Sequence, residues 1–114
     1  MIIVTISGKT LPEKYNEFSH TVSSLLDQIR KSPGCISCHF YQEFEEENSF
    51  CLVGEWASQQ EFDDYVRTHA FSVLLGAMQI LLQSPAKIKI NTISRTDTQK
   101  YIEALLGGTD AASG

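Results

Sequence analysis

The sequence predicts one α+β domain, with two helices packed on one face of a four-stranded antiparallel sheet in the split β-α-β-β-α-β order of ferredoxin-like folds. Three observations predict it. The chain has 114 residues, the size of one domain with a few residues to spare. Its apolar residues change between alternation and steps of three and four, in the order strand, helix, strand, strand, helix, strand. Turn and cap signals fall where that period changes: Gly8, Pro33-Gly34, the acidic stretch Glu45-Glu46-Glu47-Asn48, Ser58 and Pro85.

Ile2 to Ser7 is rich in β-branched residues and stops at Gly8, a first strand. Thr10-Leu11-Pro12-Glu13 has the T-x-x-E spacing of a capping box, with a proline tolerated in the first turn. Behind it Tyr15, Phe18, Val22, Leu25, Leu26 and Ile29 form one apolar stripe. Arg30 and Lys31 sit in the last turn of that helix, where cations complement the dipole. Cys35 to Phe44 and Phe50 to Ala57 read as a hairpin with a charged, solvated tip. Ser58-Gln59-Gln60-Glu61 is a second capping box, opening a helix that carries Phe62, Tyr65, Val66, Val73, Leu74, Ala77 and Leu81. Periodicity leaves open whether that helix runs through Thr68-His69 or breaks there. Lys87-Ile88-Lys89-Ile90-Asn91 alternates as a fourth strand, and a last helix from about Asp97 to Leu106 displays Tyr101, Ile102, Leu105 and Leu106. The expected organisation is a domain over 1–94, a helical extension over 95–107 and a frayed tail over 108–114.

Hydrophobic residues make up 42% of the chain and charged residues 20%, a globular balance. The net charge of -5 argues against nucleic acid and anionic membrane as partners, since both require a basic footprint. Apolar runs such as Met1–Val4 are too short to span a bilayer. Three cysteines, an odd number, lead us to expect reduced thiols and a cytoplasmic location.

Both faces of the expected sheet carry apolar or aromatic side chains. Cys35, Ser37, His39 and Tyr41 alternate with Ile36, Cys38 and Phe40, and Phe50, Leu52 and Trp56 with Cys51 and Val53. A half-exposed sheet would show one plainly polar face. A second copy of the sheet is the simplest cover, so a homodimer is expected, strengthened by the apolar terminal helix reaching across.

Ser32-Pro33-Gly34-Cys35-Ile36, the strand ending Phe40-Tyr41, the segment Phe50-Cys51-Leu52-Val53-Gly54-Glu55-Trp56-Ala57-Ser58 and the downstream Thr68-His69-Ala70-Phe71 are telling in their order and spacing. With them the chain resembles the antibiotic biosynthesis monooxygenase (ABM) superfamily over roughly residues 1–93. The resemblance implies a dimeric α+β barrel, two ferredoxin-like subunits packed sheet against sheet. It constrains chemistry poorly, because members oxygenate quinols or aromatic polyketides without metal or flavin, degrade haem, or act on small signalling molecules. Members commonly carry a histidine in the helix after the tryptophan and another in a Ser-Pro-His-Phe stretch. Here Tyr65 takes the first place, and His69 falls one position early for the second. The Glu often found two residues before the tryptophan is replaced by Gly54. The Asn, Trp and His that mark the haem-degrading branch are missing from Ile2–Ser7, Phe62–Val66 and Leu74–Leu75.

Cofactor-free oxygenation needs an electron-rich substrate, a base near pKa 7 and a dry pocket that admits O₂. Histidine suits the base. His69, at the possible helix break, is the favoured catalytic residue; His39 alternates with Tyr41 on a strand, and His20 lies on the polar side of the first helix. Trp56, Tyr65 and Phe71, with His39, form the expected substrate-binding set, and Phe18 is expected in the core. Cys35-x-x-Cys38 invites a zinc or redox reading, but on a regular strand residues three apart point to opposite faces. No metal and no cofactor are expected, and phosphate loops, Ser/His/Asp patterns and H-E-x-x-H are absent.

The leading expectation is a cofactor-independent monooxygenase that oxidises a quinol or polycyclic phenol with O₂. From another class comes a non-catalytic dimeric module that binds a small hydrophobic or aromatic molecule. An isomerase of a small signalling molecule is the third, and it would want a more polar pocket.

Overall fold

The structure is a computed structural model and describes residues 1–107. The expected tail over 108–114 lies outside the described residues. Eight elements follow one another: β1 (Ile2–Lys9), α1 (Tyr15–Lys31), β2 (Cys35–Gln42), β3 (Ser49–Trp56), α2 (Gln59–Val66), α3 (His69–Leu81), β4 (Lys87–Thr92) and α4 (Gln99–Gly107). The strands form one antiparallel sheet in the order β2-β3-β1-β4, the ferredoxin-like arrangement. Right-handed crossovers account for it: α1 and the α2–α3 pair return the chain over the same face.

The core lies between that face and the helices. Ile2, Val4 and Ile6 of β1 and Phe50, Leu52 and Trp56 of β3 meet Phe18, Val22, Leu25 and Ile29 of α1 and Phe71, Leu74 and Met78 of α3, all buried. Phe18 is wholly inaccessible and packs its ring 4.6 Å from that of Phe50. Arg30, in the last turn of α1, donates from Nε to the Cys38 carbonyl at 2.9 Å, tying the helix end to β2. Gly34 turns the chain with φ +82°, and a Cβ there would run into the Glu61 side chain. Only glycine takes this position without strain.

The two capping boxes fare differently. Ser58 Oγ accepts from the Glu61 N–H at 3.3 Å and donates to the Glu61 carboxylate at 3.0 Å, opening α2 as expected. Thr10 caps nothing. Its N–H donates to Asn48 O at 2.9 Å, it bridges to Leu82 and it is fully buried, so it continues the sheet end. The chain then turns through Glu13, at φ 67°, and α1 begins at Tyr15 without a side-chain cap. Tertiary burial of Thr10 has overridden its local signal.

The helix left open by periodicity breaks. Thr68 Oγ1 donates to Tyr65 O at 2.7 Å and accepts from the Phe71 N–H at 3.3 Å, so one hydroxyl closes α2 and caps α3.

Directly paired residues share a face, and the register therefore defines the side of the sheet away from the helices. It carries Ile3, Thr5 and Ser7 of β1; Ser37, His39 and Tyr41 of β2; Cys51, Val53 and Glu55 of β3; and Lys87, Lys89 and Asn91 of β4. This face is more mixed than the alternation alone suggests. Ser37 Oγ, for example, donates to Glu55 Oε1 at 2.9 Å. On the helix side Ile88 and Ile90 of β4 align with Ile6 and Val4, yet they remain 44% and 50% exposed. The helices cover the other three strands and stop short of β4.

Candidate functional site

Between the sheet and the α2–α3 pair lies an apolar void of about 20 Å³. Its lining is Val4, Ile6, Ile29, Cys38, Leu52, Gly54, Trp56, Phe62, Tyr65, Phe71 and Leu74. Such a volume suffices for about one water or a diatomic molecule. Strand alternation supplies Val4, Ile6, Leu52, Gly54 and Trp56, and the short α2 supplies Phe62 and Tyr65, one turn apart. The break at Thr68 then swings α3 so that Phe71 and Leu74 close the far wall.

The aromatic wall is ordered by ring contacts. Tyr65 stacks on Trp56 with centroids 5.0 Å apart and planes at 25°, and Phe71 meets Tyr65 edge-on at 5.5 Å. Phe62 also meets the indole, at 5.8 Å in a T-shaped pair. Gly54 makes room for the indole, since a Cβ there would stand 3.2 Å from Trp56 Nε1.

Among the described residues, two buried side-chain polar atoms lack a hydrogen-bond partner: Thr10 Oγ1, outside the void, and Tyr65 Oη. An orphaned hydroxyl of this kind costs about 1–3 kcal/mol, a reservoir that a bound acceptor would relieve. Burial is the largest influence on the Tyr65 phenol and pushes its pKa well above the ordinary tyrosine value, with the Cys38 and Cys35 thiols adding to the rise. Cys38, also in the lining, is pushed up to about 11, mainly by burial. At neutral pH both titratable groups of the lining are therefore protonated. The void offers a hydrogen-bond donor and no base.

Trp56, Tyr65 and Phe71, expected together, are together. His69 is exposed at the start of α3 and is not in the lining, although it precedes Phe71 by only two residues. His39 is exposed on the opposite side of the sheet, its ring 6.2 Å from that of Tyr41, and His20 is exposed on α1. Sequence reasoning missed Cys38 and Gly54 as wall residues. Alternation itself places them there, Cys38 in step with Phe40 and Gly54 with Leu52 and Trp56, but a small thiol and a glycine carry no signal of a wall. β2 is bulged between Cys35 and Ser37, so that Cys35 pairs with Trp56 while Cys38 pairs with Gly54. The bulge brings both cysteines to the helix face, correcting the opposite-face geometry expected of a regular strand. All three cysteines are free, and burial raises each thiol above its ordinary value. No group of three or more His, Cys, Asp or Glu side chains that could hold a metal ion occurs among the described residues. None of the described helices is long and apolar enough to cross a membrane.

Comparison with known proteins adds the relatives. The family model described as antibiotic biosynthesis monooxygenase matches residues 1–74. An uncharacterized protein of Synechocystis, sll1783, is 34% identical over 97 residues, which are 85% of this chain and 66% of that protein's own length. A crystal structure of a conserved protein from Methanosarcina mazei Go1 is 28% identical and superposes with a TM-score of 0.75, over 79% of this chain and 89% of that one. The fold also matches Rv0793 from Mycobacterium tuberculosis, with a TM-score of 0.78 at 13% identity over 85% of this chain and 98% of that one.

Proposed function

Because this chain belongs to the antibiotic biosynthesis monooxygenase family, we propose that it is a monooxygenase of small aromatic molecules whose reaction centre is the void beside Tyr65. The observation that carries this reading is the buried Tyr65 hydroxyl without a partner, set in an apolar wall with Trp56 and Phe71. A protonated phenol donates to an oxygen that gains negative charge, so it suits O₂ as electrons pass to it from the ionised substrate. For an anthrone-like substrate the balance is CH₂ plus O₂ giving C=O plus H₂O. The substrate supplies all four electrons, and the chain's residues need supply no reductant.

At about 20 Å³ the void accommodates O₂ or a water and no aromatic ring, so substrate entry involves displacement of the wall. The short α2 and its single-hydroxyl junction at Thr68 are the segment to yield. In this reading His69, next to that junction, is the proton acceptor when the wall opens, and Trp56 and Tyr65 hold the ring. A second copy covers the sheet face that carries His39 and Tyr41, giving a homodimer. The free thiols fit a reducing compartment, the cytoplasm.

One observation favours a second reading, a non-catalytic module that binds a small hydrophobic molecule: both titratable groups in the lining are held protonated, leaving no base within it. The test is O₂ consumption by metal-free protein with hydroquinones and anthrone-like phenols, beside His69→Ala and Tyr65→Phe. Uptake above the protein-free rate that falls in both variants supports the enzyme and its two roles. Saturable binding without uptake supports the module.

A further inference from the structure

We propose that α4 is an exchanged arm, whose apolar stripe docks in the groove between α3 and β4 of a second copy of this chain. The groove, of about 560 Å³, is lined by Leu75, Met78, Leu82, Ala86 and Ile88, with Gln79 and Gln83 among its polar residues. It is the uncovered end of the helix layer, where Ile88 and Ile90 lie open. An apolar strip of this kind on an edge strand is a liability unless something covers it.

The same chain carries a stripe of matching character. Tyr101, Ile102 and Leu105 are 46%, 55% and 66% exposed, and α4 buries none of its residues. Its nine residues span about 13.5 Å, within the ~20 Å of the six-residue β4. A helix this short has little reason to form in water on its own propensity and draws its stability from docking.

The connection between β4 and α4 is held rather than slack. Ile93 N donates to Met1 O at 2.8 Å, prolonging the sheet, and Arg95 Nε pairs with Asp97 Oδ2 at 2.7 Å. The Arg95 guanidinium lies 5.7 Å from the Tyr101 ring centroid, which fixes the first turn of α4 to the connection. So held, the arm stands off the body. The radius of gyration is 17.7 Å and the long axis 56 Å, whereas a compact chain of this length has a radius near ~13 Å.

A chain with a groove and an outstretched arm of the same chemistry is complete when two copies exchange arms about a twofold axis. That exchange satisfies both features in both copies and closes the assembly. It also reaches the candidate site, because α3 presents Phe71 and Leu74 to the void while Leu75 and Met78 line the groove. The partner's arm thus clamps the helix that forms the wall.

The inference rests on the homodimer of the proposed reading, and sedimentation of the full chain separates the two. The double variant Ile102→Asp/Leu105→Asp is expected to raise the dimer dissociation constant by at least about 100-fold, without lowering the unfolding midpoint of the dilute monomer. An unchanged dissociation constant would overturn the exchanged arm and leave the sheet-face dimer standing. An unchanged constant with a less stable monomer would mean that α4 docks on its own groove, which also overturns it. A parent chain that stays monomeric at all concentrations would overturn both. As a second measurement, the double variant Gln79→Cys/Leu105→Cys is oxidised and its 79–105 linkage mapped. Linkage at dimer mass is expected, and linkage at monomer mass, or none, contradicts the exchange.

Discussion

The helix side of the sheet is finished over β1 and β3 and unfinished over β4, although the three strands read alike in sequence. Ile2, Val4 and Ile6 are 3–5% exposed, and their neighbours across the ladder, Ile88 and Ile90, are about half exposed. The residue type is the same and the alternation is the same. What differs is the layer above: α1 and α3 overlie one region, and among the described residues no helix overlies the other. Hydrophobic pattern marks surface that wants cover, and topology decides whether the same chain provides it.

The largest effect that would break this contrast lies on the finished side. Phe18→Ala removes a wholly inaccessible ring, and a loss of about 3–5 kcal/mol is expected in urea unfolding. A loss below ~1 kcal/mol would mean that the core under α1 is far looser than its burial indicates.

Next comes alkaline pH, which acts on the buried thiol. Cys38 has its folded pKa raised from 9.0 to about 11, so the folded state binds the proton more tightly than the unfolded state does. That stabilisation is complete below pH 9 and is lost as pH rises towards 11. Tyr65, also raised, adds to the decline above pH 10. Cys38→Ala is expected to flatten the limb between pH 9 and 11 in thermal unfolding.

Tyr65→Phe has a smaller effect of opposite sign. Deleting a hydroxyl that lacks a partner in an apolar wall is expected to stabilise the fold by about 1 kcal/mol while impairing function, the usual relation between a strained site and its use. Smallest of all is Ile90→Thr, measured on dilute monomer. Because the side chain is half exposed and retains β-branching, a change within about 0.5 kcal/mol is expected in the same urea assay. A large loss there would mean that β4 is covered in the single chain after all.

Much of the fold was legible because each element combines a period with a boundary signal. The stripe Phe18, Val22, Leu25 and Ile29 and the Ser58–Glu61 cap both formed where they were read. Thr10 misled because its capping spacing is local, whereas its pairing with Asn48 and Leu82 is long-range. The site was half legible. Large aromatics with a polar handle, Trp56 and Tyr65, stood out by chemistry alone. Cys38 and Gly54 did not, since a small thiol and a glycine carry no such signal although alternation places both on the helix face. The one-residue bulge that turns Cys35 to the same face leaves no periodic trace. His69 is favoured as base by its place at a helix break, and the break is there. The exposure of its side chain depends on how Thr68 caps α3, a detail beyond spacing.

The most direct test uses the single tryptophan of the sequence, which lies in the wall of the void. Fluorescence of Trp56 is titrated with a hydroquinone under anaerobic conditions, for the parent chain and for Tyr65→Phe. The expected result is a saturable change whose dissociation constant rises about 5- to 10-fold in the variant, the worth of one hydrogen bond. No saturable change, or a dissociation constant identical in the two proteins, would contradict the assignment of this void as the binding site.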